Sequence, residues 1–268
     1  MLLEILYIAP ILGIIAGFLS GLLGIGGGIV LVPALLYLLP LLPQVNSDNV
    51  AIIAVATSLM TIVVTAFSSA KSHYKRGNLH KEITLPIAVA VAISSVVAPY
   101  VAIWMGSSLL TSVFAILLFV LALQIVTGRK TNADVDKLPS NKVLAFGGLF
   151  TGFLAAIAGL GGGAILVPYL TVVGVNIRKS IGAAAACGMI VAIFGSVSYF
   201  ISGHGWTDSN QFAGYVHWPT ALVIMLFSYF TAPLGVKVGH KLNQVQLKRV
   251  FAIFMMVVAT KLLFDQLA

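Results

Sequence analysis

Gly24-Ile25-Gly26-Gly27-Gly28-Ile29-Val30-Leu31-Val32-Pro33 decides the fold, because it occurs twice. It returns 135 positions later as Gly159-Leu160-Gly161-Gly162-Gly163-Ala164-Ile165-Leu166-Val167-Pro168. Over the window from Ala16 to Pro33, 10 of 18 positions are identical in the second copy. Each copy interrupts a long apolar stretch. Glycine triplets break helices, because glycine leaves the backbone too much freedom. Inside a bilayer, a broken helix is tolerated only where the break is buried in protein or lines a polar cavity. Two breaks in matching halves point to a transporter binding site.

Composition places the chain in a membrane. Hydrophobic residues make up 60% of it and charged residues only 8%. Apolar stretches of about 20 residues recur, the length a helix needs to cross a bilayer. Short alternating strands, the mark of a membrane barrel, do not. The net charge of +8 sits in short loops as topology signals, not in a basic arm, so no nucleic-acid partner is expected. Cys187 is the single cysteine, which excludes an intrachain disulfide and a cysteine-based metal site. The N-terminus has no basic region of the kind a signal peptide carries.

The first apolar region runs from about Ile5 to Leu42. Its second arm, Ile29 to Leu42, would rise only about 21 Å, short of a hydrocarbon core of about 30 Å. The region therefore reads as a helical hairpin that enters and leaves on one side. Continuous spans follow at about Val50–Ala70, Ile83–Trp104 and Leu109–Thr127. The second half repeats the plan, with a broken hairpin at Val143–Val173 and spans at Ile181–Ile201, Trp218–Val236 and Leu247–Phe264.

Charge placement selects this topology. With both broken regions as hairpins, one side collects Lys71, Lys75, Arg76 and Lys81, the 129–142 cluster, Arg178 and Lys179, and the 237–249 cluster. That side holds 14 of the 15 Lys and Arg, so it is cytoplasmic. Single crossings would move Arg178, Lys179 and the last cluster outside. One hairpin plus three crossings is an odd count, so the halves are inverted. The expected fold is all-α integral membrane, in two inverted repeats, each a re-entrant broken helical hairpin plus three transmembrane helices. The repeats occupy 1–130 and 143–268, joined by a cytoplasmic linker at 131–142.

The glycine motifs are also the leading site candidates. A short helix starts after each triplet, and its first amides lack intrahelical partners and carry partial positive charge. Two such N-termini facing each other near mid-membrane would hold an anion with no charged side chain. Close helix packing is the alternative use of the same glycines. If the triplets need glycine-only dihedrals, Gly27→Val and Gly162→Val should both abolish function. Thr57 and Ser58 offer hydroxyl donors about 10 Å into their span. Back-bonding to a carbonyl one turn earlier competes for them. Cys187, at the matching position of the second half, either reaches the site or packs as a small residue. The histidines, His217 among them, read as solvated loop residues. Trp104, Trp206 and Trp218 read as interface anchors. Neither a metal cluster nor a carboxylate within a span is present, so no metal, no cofactor and no enzymatic activity are expected.

At the doubled motif the chain resembles the sulfite exporter TauE/SafE family of membrane proteins. The resemblance covers nearly the whole chain and includes Ala56-Thr57-Ser58, although the second half reads Ala186-Cys187-Gly188. It implies transport of sulfite, sulfonates or related small sulfur-containing anions. The expected protein is a multi-pass secondary transporter of the cell membrane, most simply an exporter. Its partners are a small anion and the lipid bilayer, and a homodimer is compatible with the sequence. The substrate-binding set is Gly26, Gly27, Gly28, Thr57, Ser58, Gly161, Gly162, Gly163 and Cys187. A membrane assembly or maturation factor without transport activity is the alternative.

Overall fold

A computed structural model of the chain describes residues 2–23, 26–127, 138–239 and 244–267. Gly24, Ile25 and most of the 131–142 linker lie outside the described residues. The chain forms α1 (Leu2–Leu23), α2 (Gly28–Leu38, continued by a short 3-10 turn at Leu39–Leu41), α3 (Val50–Lys75) and α4 (Lys81–Thr127). The second half supplies α5 (Asn141–Ala158), α6 (Gly163–Val172), α7 (Ile177–Ser202), α8 (Trp218–Gly239) and α9 (Gln244–Leu267). Between α7 and α8 lies an antiparallel ribbon of β1 (Phe212–Ala213) and β2 (Val216–His217).

This is an all-α membrane protein. Among the described residues, five segments are long and apolar enough to cross a bilayer: Val50–Lys75, Lys81–Thr127, Asn141–Ala158, Ile177–Ser202 and Trp218–Gly235. Large apolar side chains such as Ile116, Phe119, Leu226 and Phe230 are exposed. In water such a surface would aggregate, whereas lipid solvates it. The two spans expected at 83–104 and 109–127 form one long helix with a break. Gly106 has φ 73° and ψ 169°, outside any helical region, so α4 has two arms at 81–105 and 107–127.

Each glycine break turns its helix back as a hairpin. The Tyr169 hydroxyl near the end of α6 donates to the Val143 carbonyl at the start of α5, 2.7 Å away. In the first half, Ile5 and Ala9 share a buried cluster with Leu35, Leu39 and Leu42. The first arm of each hairpin then packs on the other half. Gly13 of α1 rests on Ile224 and Phe227 of α8, and Gly17 rests on Ser228 and Thr231. Likewise Gly148 of α5 rests on Ile87 and Ala90 of α4, and Gly152 rests on Val91 and Ser94. Residue numbers rise together in both pairings, so these neighbours run parallel. Each contact uses a glycine pair four residues apart, which lets two backbones approach closely in a membrane.

The two ends of the bundle differ. At one end the Tyr37 hydroxyl donates to Asp265 Oδ2 at 2.7 Å, the Ala51 amide donates to Ser107 Oγ at 3.1 Å, and Ser108 Oγ donates to Gln266 Oε1 at 2.7 Å. At the other end, Gly182 near the start of α7 lies against the Asn78 carbonyl, between α3 and α4. The basic residues Lys71, Lys75, Arg76, Lys81, Arg178 and Lys179 flank that second junction in the chain.

Candidate transport site

The two glycine breaks meet. A Cβ placed on Gly26 would stand 3.2 Å from Gly161 Cα, and one placed on Gly28 would overlap the Gly159 carbonyl oxygen. Backbone therefore touches backbone at the point where α2 and α6 begin. The first α6 amide with an acceptor in that turn is Ile165, which donates to the Gly162 carbonyl at 3.1 Å. The amides of Gly163 and Ala164 precede it and have no partner within the helix. In α2 the Val30 amide donates to the Gly27 carbonyl in the same way, at 3.1 Å.

The same motif takes different backbone conformations in the two copies. Gly26 is left-handed at φ 80° while Gly27 is helical at φ −71°. In the second copy Gly159 and Gly162 are left-handed, at φ 66° and 72°. The expectation that Gly27 needs a glycine-only dihedral is therefore corrected. Gly27 packs against Ala16 and needs little space, whereas Gly162 needs its dihedral.

Below the breaks lies a narrow cleft of about 20 Å3, lined by Ser20, Gly26, Thr65, Ser69, Gly161 and Ala184, together with Ile62, Ala66 and Ala185. Thr65 and Ser69 lie in the half of α3 that leads to Lys75, so the cleft extends toward the basic end. Its volume fits about one water. A four-atom oxyanion needs the helices to part.

Of the residues named from sequence, Gly26 and Gly161 line this cleft. Gly27, Gly28, Gly162, Gly163, Thr57, Ser58 and Cys187 are buried behind it. Ser58 Oγ donates to the Gly159 carbonyl at 2.9 Å, pinning α3 to the second break. Thr57 Oγ1 accepts the His217 backbone N–H at 3.1 Å. Cys187 is buried on α7 beside Gly188, where a Cβ would overlap the Gly161 carbonyl oxygen. Sequence reasoning missed Thr65 and Ser69. Their signal was a hydroxyl stripe at Thr57, Thr61, Thr65 and Ser69, spaced by four and so on one helix face.

The other side of the breaks is covered by the β1–β2 ribbon. His217 is fully buried, which corrects its reading as a solvated loop residue. Its Nδ1 lies 2.7 Å from Thr220 Oγ1, and its ring packs on Phe212 with centroids 4.9 Å apart. Burial pushes the imidazole pKa down to about 4. Trp206, expected as an interface anchor, instead packs within the ribbon. Its Nε1 donates to the Gly214 carbonyl at 2.6 Å, and it stacks on Tyr215. The Tyr215 amide donates to the Tyr199 carbonyl at 3.3 Å, tying the ribbon to the end of α7.

Membrane-crossing helices surround the cleft, and family and relatives make this a membrane transporter. The chain belongs to the sulfite exporter TauE/SafE family, whose model matches residues 9–262. It is 36% identical over 250 residues to a probable membrane transporter protein of Haemophilus influenzae, covering 93% of this chain and 94% of that one. It is 25% identical to a probable membrane transporter protein of Methanocaldococcus jannaschii, covering 91% of each. A probable membrane transporter protein of Bacillus subtilis is 26% identical, over 96% of this chain and 97% of its own length. No solved structure matches the chain significantly.

Proposed function

We propose that this protein is a secondary transporter of small sulfur-containing anions, such as sulfite or a short sulfonate, and that it exports them across the cell membrane. The carrying observation is the meeting of Gly26 and Gly161 at the head of a hydroxyl-lined cleft. Helix N-termini and neutral donors attract an anion there without a buried cation, which would be costly and would hold the anion tightly. The parallel pairing of α1 with α8 and of α5 with α4 supports two inverted repeats. In that arrangement both hairpins are re-entrant and the basic end faces the cytoplasm. The cleft then accepts the anion from inside, where the basic loops raise its local concentration. An inside-negative potential assists an outward-moving anion by about 2.3 kcal/mol per charge per 100 mV. The sequence carries no Gly-Lys-Ser/Thr phosphate loop, so direct drive by ATP has no support.

The test is sulfite flux in proteoliposomes containing the purified protein, with the membrane potential set by a potassium gradient. Saturable flux that speeds up when the sulfite-loaded side is negative is the expected result. Absence of flux for sulfite and short sulfonates would favour an assembly or maturation role.

A further inference from the structure

A second cavity, of about 240 Å3, is lined by none of the break glycines. Its walls are Met60 of α3, Phe200 of α7, Ala213 and Val216 of the ribbon, and Leu222 and Met225 of α8. It begins beside a contact between α3 and α7. Leu59 closes on Gly195 there, and the next residue of each helix, Met60 and Ser196, already lines the cavity. Val216 and Ala221 are buried and form its floor. Met60, Phe200, Trp218 and Leu222 are exposed and form its rim, so it is a groove that opens sideways.

A polar ligand finds nothing to hold in this groove. No lining residue carries a charge. Ser196 Oγ is committed to the carbonyls of Ala192 and Ile193 in its own helix. The Trp218 indole N–H donates to the Asn210 carbonyl at 2.7 Å. Ordered water needs two to four polar partners, so it does not fill the space. Left empty, the groove would forfeit dispersion contacts along its whole lining. Hydrocarbon suits it, and hydrocarbon is what lies at its mouth. The three helices that form it are membrane-crossing segments whose exposed apolar side chains lipid solvates.

Depth and width select a single chain. From Trp218 to Met225 the groove descends about 10 Å along α8, which keeps it within one leaflet of a hydrocarbon core of about 30 Å. Tryptophan favours the level of the headgroups, which puts Trp218 at the mouth and Met225 at the deep end. A helix from a second copy of the chain, about 10–12 Å across, is too wide for a cavity of this size. One extended acyl chain is not.

We propose that this groove is a lipid site, occupied by one acyl chain of a phospholipid from the leaflet beside the ribbon, with the headgroup above Trp218. The chain packs on Ala213 and Val216, so the lipid forms part of the seat on which the ribbon closes. The site is independent of which anion the protein carries.

The experiment uses the full-length protein in detergent, with Trp104 and Trp206 changed to Phe so that Trp218 alone fluoresces. It is titrated with a chain-brominated phosphatidylcholine, and melting temperatures are taken alongside. A second protein, with Trp206 and Trp218 changed to Phe, reports from Trp104, which is exposed on α4. Quenching of Trp218 should saturate near one lipid per protein, while quenching of Trp104 should rise steadily with lipid. Ala221→Phe fills the floor and should raise the half-saturating lipid concentration about tenfold, the equivalent of roughly two methylenes left unburied. Should that variant fail to fold, Ala213→Leu fills the groove from the ribbon and gives the same comparison. Steady, unsaturated quenching of Trp218 overturns the proposal. So does wild-type half-saturation in a folded, groove-filled variant. Trp218 shielded from bromine in a protein that sediments as a dimer gives the groove to a second copy and overturns it as well.

Discussion

The two glycine breaks share a motif but differ in how they are built. In the first, Gly26 is left-handed among the described residues and the chain is already helical at Gly27. In the second, Gly159 ends α5 in a left-handed cap, and Gly162 adopts a second left-handed turn before α6. The surroundings of the matched pair differ too. Gly162 has Thr151, Val191 and Ala155 no nearer than 3.6 Å. Gly27 meets Ala16 at 3.3 Å and Leu31 at 3.5 Å. Identical letters therefore do different jobs, and matched substitutions should not have matched effects.

The strongest way to break this comparison is Gly28→Ala. The added methyl would overlap the Gly159 carbonyl oxygen, and backbone cannot swing aside as a flexible side chain would. Overpacking of this kind costs about 3 kcal/mol. Thermal unfolding in detergent should show a clear drop in melting temperature. An unshifted melt would mean that the two breaks do not touch.

A smaller effect sharpens the contrast. Gly162→Ala has space, since its nearest neighbours stand at 3.6 Å, but it forces alanine into a left-handed dihedral. That strain costs about 1–2 kcal/mol. Gly27→Ala, at an ordinary helical dihedral, escapes that strain and meets only a tight contact with Ala16 at 3.3 Å, so it should cost less than Gly162→Ala. Denaturant titrations of the pair would decide it, and equal losses would refute the assignment of different conformations.

The smallest effect concerns the covered side. Closed, the ribbon holds His217 neutral with a pKa near 4; released, it would titrate near 6.5. Above pH 6.5 both states are neutral and closure is independent of pH. As pH falls from about 6.5 toward 4, only the open state takes up the proton, so closure weakens. The neighbouring elements contribute no charge near it. Lys71 and Lys75 lie at the far end of α3, Arg178 and Lys179 at the far end of α7, and Lys237 at the far end of α8, leaving Asp208 and His204 of the same connection. Between pH 8 and pH 5 the open-to-closed ratio should rise roughly thirtyfold. Acrylamide quenching of Trp206, in a background with Trp104 and Trp218 changed to Phe, reports it. His217→Gln should abolish the pH dependence; quenching that still changes with pH in that variant would assign the effect elsewhere.

Much of the scaffold could be read from residues in order. Helix lengths follow from apolar runs, and hairpins from the shortness of the arms after each triplet. What escaped depends on neighbours far along the chain. The triplet is the same in both copies, yet Gly27 is helical and Gly162 left-handed. Likewise His217 looks like a loop residue until Thr57 takes its amide. Thr57 and Ser58 were weighed both as donors to a ligand and as bonded to a carbonyl one turn earlier. Their contacts lie instead in other elements: Ser58 Oγ donates to the Gly159 carbonyl and Thr57 Oγ1 accepts the His217 amide.

The parallel packing of α1 on α8 has a consequence for how the protein is made. Gly13 and Gly17 find their partners only at Ile224 to Thr231, more than 200 residues downstream. The equivalent glycines of α5 find α4 already synthesised. A chain emerging from the ribosome N-terminus first can seat its second hairpin at once. The first must wait until the eighth helix arrives. Such long-range closure is slow, so the hairpin of α1 and α2 waits for its final place until α8 has been made.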